Sequence, residues 1–237
     1  MGTMILNNRK LCETVEASGL WEAALPGMSP ARQRRSRETV VSLIATGHAM
    51  LNDRSLDALS IDELCAAAGC TIGAFYSRFE SKESYFDAIQ FVVCADRDAA
   101  LSAVVTEARR AKWPLRRICS ALVGDLAQWY WSNSGVLRAS LLHRRNGESG
   151  WTSIKALGTR HKAVWVELLK RHLPIKLPAR ERKLRVQFAH QVVNGTLVHM
   201  LLNDPGPLKI GDAATPTRLT ANMISYLLSD AAAPSKS

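Results

Sequence analysis

Apolar residues recur every three or four positions along most of this chain, and nowhere do they alternate one-on, one-off as a half-buried strand requires. Val40, Val41, Ile44 and His48 mark a first helix over residues 38–51. Ile61, Leu64, Cys65 and Ala68 give the next helix a single apolar face. Ser60 and Glu63 stand ahead of it in the S-x-x-E spacing of a capping box, in which a hydroxyl and a carboxylate satisfy free amides at a helix start. Gly69 supplies the permissive backbone needed to leave it. Thr71 can cap a third, short helix on which Phe75 and Phe79 lie four apart and face inward, with Tyr76 and Ser77 pointing away. Ser81 opens a long helix to residue 110, and Pro114 suits the first turn of another, striped by Leu115, Ile118, Leu122, Leu126 and Trp129. Helices follow over residues 136–145, 151–172 and 179–202. Thr215 and Pro216 then cap and start a last one to residue 228. The expectation is an all-α protein of about nine helices.

Two short helices meeting at a glycine turn, with a longer helix behind them, are how a helix-turn-helix presents its second member to the DNA major groove. S-x-x-E boxes and aromatic-bearing helices are each common in ordinary cores, and it is their order over residues 60–86 that is specific. Ser60-Ile61-Asp62-Glu63-Leu64, Ala67-Ala68-Gly69, Gly73-Ala74-Phe75-Tyr76, Phe79 and Ser81-Lys82-Glu83, with Phe86 beyond, resemble the DNA-binding domain of the TetR (tetracycline repressor) family of bacterial transcription factors. The resemblance covers about residues 36–90. It implies an N-terminal three-helix helix-turn-helix domain followed by a larger helical domain for ligand binding and dimerisation. The corresponding division is residues 1–30 as a loosely structured or separately packed extension, 31–86 as the DNA-binding domain, and 87–237 as the effector-binding and dimerisation domain.

On this resemblance the expected DNA contacts are Arg34, Arg35 and Arg37 from an arm ahead of the first helix, Ser60 at a helix start, Thr71, Ile72, Gly73, Tyr76 and Ser77 on the reading helix, and Lys82 at the next helix start. Ile72 departs from the family pattern, which often places Lys or a polar residue there, so apolar contact with a thymine methyl replaces one polar contact.

Charge alone says little about DNA. The formal net charge is +10, yet residues 1–95 hold nine basic against eleven acidic residues, and the excess lies in residues 96–237 with 22 against ten. Only local arrangement is informative, as in the four arginines between Arg32 and Arg37. Five cysteines, Cys12, Cys65, Cys70, Cys94 and Cys119, include no C-x-x-C pair and no zinc spacing; reduced thiols in a cytoplasm are expected, with Cys70 placed in the turn before the reading helix. No metal or cofactor is expected. No nucleophile elbow, phosphate loop or dinucleotide fingerprint is present, and the reading is not an enzyme. No secretory leader is evident, and the longest run without formal charge, residues 186–203, carries Gln187, His190, Gln191, Asn194 and His199, unlike a membrane span.

Two jobs remain for the larger domain. A single reading helix contacts few base pairs, so specificity calls for a homodimer on a pseudo-palindromic operator in double-stranded DNA. In the family the last two helices form a four-helix bundle with their symmetry mates, which here assigns the dimer face to Val193, Leu197, Met200, Leu201, Leu219, Met223, Tyr226 and Leu227. Trp129, Tyr130, His143, Trp151, Trp165, His190 and Asn194 supply the aromatic surface and polar points of a pocket for a small-molecule effector, although a core role is the commoner fate of Trp129 and His190. The expected function is a sequence-specific repressor released by that effector. An activator or architectural protein without an effector fits the motif equally.

Overall fold

The structure is a computed structural model that describes residues 8–145, 148–149, 152–204 and 206–229. Among these residues the chain folds into α1 (Asn8–Ala17), α2 (Arg34–Met50), α3 (Ile61–Ala68), α4 (Ile72–Tyr76), α5 (Lys82–Arg110), α6 (Leu115–Ser132), α7 (Ser134–Leu142), α8 (Thr152–Leu169), α9 (Ala179–Asn203) and α10 (Ala214–Leu228). The all-α expectation holds, with one local exception. The helix expected over residues 136–145 stops at Leu142, and Arg144–Arg145 pairs antiparallel with Glu148–Ser149 as a two-residue hairpin.

Two compact units result. One takes residues up to Arg97 together with Ser132–Lys155; the other takes Asp98–Trp131 and the chain from Ala156 onward. This partition differs from the linear division at residues 30 and 86. The extension helix α1 and the later helix α7 both contribute to the first unit.

In the first unit α2 is the hub. It buries Val40, Val41, Leu43, Ile44 and Ala45, while Leu11 and Val15 of α1 and Leu20 beyond it are equally buried. Residues 1–30 are thus not a loose extension as far as they are described, since burying these three aliphatic side chains contributes roughly 1.5–3 kcal/mol each. His48, buried on α2, donates from Nε2 to Asn133 Oδ1 at 2.9 Å at the start of α7. Burial pushes the His48 pKa down, against the opposing pull of the Asn133 bond and of Asp96. Tyr85 of α5 is fully buried, and its hydroxyl donates to the Leu43 carbonyl at 2.6 Å. That approach requires Gly47, because a methyl there would collide with the phenolic oxygen.

In the second unit the α6 stripe buries Ile118, Cys119, Leu122, Val123, Leu126, Trp129 and Tyr130. Asp98 holds α8 through His161 Nε2 at 2.6 Å and Arg160 Nη2 at 3.0 Å. Arg185, buried on α9, pairs with Glu181 at 2.9 Å and donates to the Ser229 carbonyl at 2.6 Å, closing the end of α10. Helix α10 begins at Ala214, two residues earlier than a Thr215 cap implies. Thr215 lies inside the first turn, and its hydroxyl donates back to the Lys209 carbonyl at 2.7 Å. The end expected at residue 172 for α8 falls at Leu169, and Lys170–His172 tightens into a 3-10 turn, a common way for helix ends to satisfy their last carbonyls.

Candidate nucleic-acid interface

The helix-turn-helix is built from caps upward. Ser60 caps α3 by accepting from the Glu63 amide at 3.5 Å. The reciprocal half of the expected box is not made, because the Glu63 carboxylate pairs with Arg54. Arg54 lies in the loop before α3, so an ion pair to that loop replaces the internal cap. Gly69 ends α3 in the left-handed conformation at φ +70°, which a side-chain-bearing residue adopts only with strain. Thr71 then caps α4, its Oγ1 accepting from the Ala74 amide at 3.1 Å.

Helix α4 is short and one-sided. Phe75 and Phe79 are fully buried, with ring centroids 5.4 Å apart, and both rings meet Tyr85 at 5.4 and 5.1 Å. These edge and tilted contacts each contribute about 0.5–1.5 kcal/mol beyond the area buried. The opposite side is bare. Thr71, Ile72, Gly73, Tyr76 and Ser77 are all exposed, Ile72 at 45% and Tyr76 at 54%. An exposed isoleucine and tyrosine on a rigidly seated short helix offer apolar contact to a thymine methyl and a hydroxyl to a phosphate. The Ser77 hydroxyl donates to the Ala74 carbonyl at 2.8 Å, leaving its lone pairs outward.

Four expected contacts sit differently. Arg34, Arg35 and Arg37 were assigned to an arm ahead of the first helix, but α2 starts at Arg34, so they stand on its first turn. Arg34 and Arg35 remain exposed there, Arg34 pairing with Glu38 at 2.8 Å. Arg37 is half-buried: its Nε donates to the Ala31 carbonyl at 3.1 Å and its guanidinium lies 5.2 Å from the centre of the Trp21 ring. Lys82, expected on phosphate, donates from Nζ to the Asp57 and Leu59 carbonyls at 3.1 and 3.2 Å and so ties the loop before α3 to the start of α5. The α5 start is closed reciprocally by Ser81 and Ser84, each accepting at 3.1 Å from the other's amide.

One feature of the interface lies outside the sequence reading. Residues 27–30 run as a strap along the end of the reading helix: Ser29 donates to the Arg78 carbonyl and Glu80 to the Gly27 carbonyl, each at 2.8 Å. Arg78 replies through Nη1 to the Pro30 carbonyl at 3.0 Å and Nη2 to Ser36 at 2.8 Å. Backbone pairing of this kind carries no side-chain signature, and Arg78 alone could have hinted at it.

A short helix seated on two phenyl rings behind a glycine turn, with its outer face bare, defines a helix-turn-helix DNA-binding protein. Residues 43–89 match the family model described as bacterial regulatory proteins, tetR family. Residues 43–89 are therefore similar to the DNA-binding segment of tetR-family regulators, which supports a DNA-binding transcriptional regulator. The fold as a whole is similar to that of the ketosteroid transcriptional regulator KstR2 of Mycobacterium tuberculosis, with a TM-score of 0.54 at 14% identity over 86% of this chain and 100% of that one. It is similar also to NalD, the secondary repressor of the MexAB-OprM multidrug efflux pump in Pseudomonas aeruginosa (TM-score 0.54, 16% identity, 84% and 100% covered). The fatty acid degradation regulator FadR from Bacillus halodurans gives a TM-score of 0.54 at 13% identity, with 83% and 96% covered. No curated protein matches the sequence.

The residues expected to line an effector pocket do not form one group. Trp151 lies outside the described residues. His143 belongs to the first unit, 3.8 Å from Asp57 and edge-on to Phe86, whereas the other five belong to the second. The pattern alone could not show this, because α7 departs from its neighbours in sequence to join the first unit. Trp129, Tyr130, Trp165 and His190 are buried. Trp165 stands edge-on to His190 at 4.9 Å, and the Tyr130 hydroxyl donates to Asn194 Oδ1 at 3.0 Å. An open groove of about 750 Å³, which the sequence did not announce, lies between α1 and α2 and is lined by Cys12, Glu16, Val41 and Ala45 among others.

The residues expected on a dimer face are mostly turned into the interior of their own unit. Val193, Leu197, Leu201, Met223 and Leu227 are buried within their own unit, and Met200, Leu219 and Tyr226 are half-buried. The exposed apolar row on α9 is Leu184, Phe188 and Val192, four residues apart, with Leu228 exposed on α10 and Phe188 stacked 5.3 Å from Tyr226. Two stripes run along these amphipathic helices, and the richer one is taken by the core. Among the described residues no helix is long and apolar enough to cross a membrane.

Proposed function

We propose that the chain is a cytoplasmic homodimeric repressor that binds a pseudo-palindromic operator through α4 and is released by a small-molecule effector. The observation that carries this is the bare outer face of residues 71–77 on a fully buried aromatic seat. Exposed Arg34 and Arg35 and the Tyr76 hydroxyl supply phosphate contacts, whereas Thr71, Ile72 and Ser77 read base edges. Lys82 acts chiefly by holding the α3 loop. Pairing uses the outward row of Leu184, Phe188 and Val192 with Tyr226 and Leu228, an apolar surface that a second copy would cover.

The three neighbouring regulators are described in terms of ketosteroids, a multidrug efflux pump and fatty acid degradation, which supports an apolar effector for this chain. A ligand that prefers the conformation with wrongly spaced reading helices weakens operator binding by thermodynamic reciprocity. The test is selection of bound fragments from the source genome, followed by fluorescence anisotropy on the selected duplex. Tyr76→Phe weakens binding to all sequences alike, and changes at Ile72 or Ser77 alter sequence preference. Binding indifferent to all three changes overturns the assignment. Phe188→Glu should convert the dimer to a monomer in sedimentation, and an unchanged dimer removes the proposed face.

A further inference from the structure

The turn between α3 and α4 is a complete Schellman closure. The Cys70 amide donates to the Cys65 carbonyl at 3.0 Å and the Gly69 amide to the Ala66 carbonyl at 3.3 Å. In this motif the side chains three positions inside the helix end and two positions beyond it meet, and an apolar pair usually occupies them. Here both are cysteines, so the backbone closure itself brings the Cys65 and Cys70 side chains together as neighbours. Cys65 is buried and Cys70 half-buried. Thr71, the cap of the reading helix, is the next residue in the chain.

We propose that Cys65 and Cys70 form a peroxide-sensitive dithiol whose oxidation to a disulfide re-aims the reading helix and lowers DNA affinity. The half-buried Cys70 thiolate attacks a peroxide oxygen and breaks the O–O bond, becoming a sulfenic acid as the peroxide is reduced and one water leaves. The Cys65 sulfur then attacks the Cys70 sulfur, gives up its proton and displaces the hydroxyl as a second water. Two thiols and one hydrogen peroxide yield one disulfide and two waters. Burial, then the neighbouring Cys70, raises the Cys65 thiol to about 11, which makes Cys65 the poorer first nucleophile and assigns it the resolving role. Bond formation requires the sulfurs to close to about 2 Å, and Cys70, the less buried of the two, is the partner that shifts. Its displacement passes directly to Thr71 and the exposed face of α4. The remaining thiols have other surroundings: Cys119 is buried and raised to about 12, and Cys12 and Cys94 lie on other helices.

The inference rests on the DNA-binding reading for its consequence, and the experiment separates the two. Tryptic cleavage leaves Cys65 and Cys70 together on the peptide of residues 55–78, with no other cysteine. Full-length protein is treated with equimolar hydrogen peroxide, alkylated under denaturing conditions and digested, and a parallel sample is titrated onto the selected duplex. The expected result is a peptide two hydrogens lighter that takes up no alkyl group. Duplex affinity should fall at least about tenfold, equivalent to losing one base contact. Dithiothreitol should restore it, and Cys70→Ser and Cys65→Ala should bind DNA with affinity unaffected by peroxide. A peptide that takes up two alkyl groups after peroxide overturns the dithiol, and a linked peptide with unchanged affinity overturns the switch. Reduced protein that binds no duplex overturns the DNA-binding reading instead, and the peptide map still decides whether the disulfide forms.

Discussion

The contact between Tyr85 and Gly47 makes a quantitative prediction, because each residue has its present form on account of the other. The Tyr85 hydroxyl is fully buried, donates to the Leu43 carbonyl at 2.6 Å and occupies the space a side chain at position 47 would need. Tyr85→Phe removes one buried hydrogen bond but leaves a carbonyl inside a helix, so it should cost about 1 kcal/mol. Gly47→Ala gains helix propensity of roughly 1 kcal/mol, yet forces the new methyl onto the phenol, an overpacking that costs about 1–3 kcal/mol. In the double variant the oxygen is gone and the nearest ring carbon lies 2.8 Å from the added Cβ, a clash that a small ring shift relieves. The double variant should therefore be more stable than the two single changes predict by about 1 kcal/mol, measured as midpoints of urea unfolding at constant slope. Additivity within about 0.5 kcal/mol would mean that the two groups do not touch. Because Tyr85 also packs on Phe75 and Phe79, the same variants probe how firmly the reading helix is seated.

Other outcomes follow from single groups. Burial raises the Tyr85 pKa well above its ordinary value, so the unfolded chain ionises first. The contribution of Tyr85 is constant below pH about 10 and falls above it by up to about 1.4 kcal/mol per pH unit, and Tyr85→Phe should flatten that limb in pH-dependent denaturation. His48 has the opposite sign. Its pKa is depressed by burial, so its contribution is complete above pH about 6.5 and declines as pH falls toward the folded pKa; His48→Gln should remove this decline in the same assay. Thr71→Ala deletes the cap of α4 and should cost about 0.5–2 kcal/mol, with near-complete recovery in Thr71→Ser; equal losses in both would show that the hydroxyl is not the operative group.

The fold was legible where side-chain periodicity carries the signal. The stripes on α2 and α6, the Ser60 and Thr71 caps, Gly69 and the Phe75–Phe79 pair all stand where spacing placed them. What the chain did not disclose is mostly backbone or long-range. The strap of residues 27–30 is joined largely by main-chain bonds, and the destination of α7 depends on contacts such as His48 with Asn133, 85 residues apart in sequence. Charged side chains misled for a related reason. Lys82, Arg37 and Glu63 each found a neighbour within the fold that local spacing could not foresee. On α9 and α10 two apolar stripes compete for the core, and periodicity reports both without saying which is turned inward.

The central claim is that the outward side chains of α4, Ile72 and Tyr76 foremost, meet DNA while contributing little to holding the fold. Its most direct test is the Ile72→Ala/Tyr76→Ala double variant, with duplex affinity and urea unfolding measured side by side. Both side chains are exposed, with Tyr76 edge-on to Phe75 at 5.2 Å, so Ile72→Ala should cost no more than about 0.5 kcal/mol and Tyr76→Ala no more than about 1.5 kcal/mol, while affinity for the selected duplex falls at least about tenfold. A variant that unfolds early, or one that keeps full affinity with its fold intact, contradicts the account.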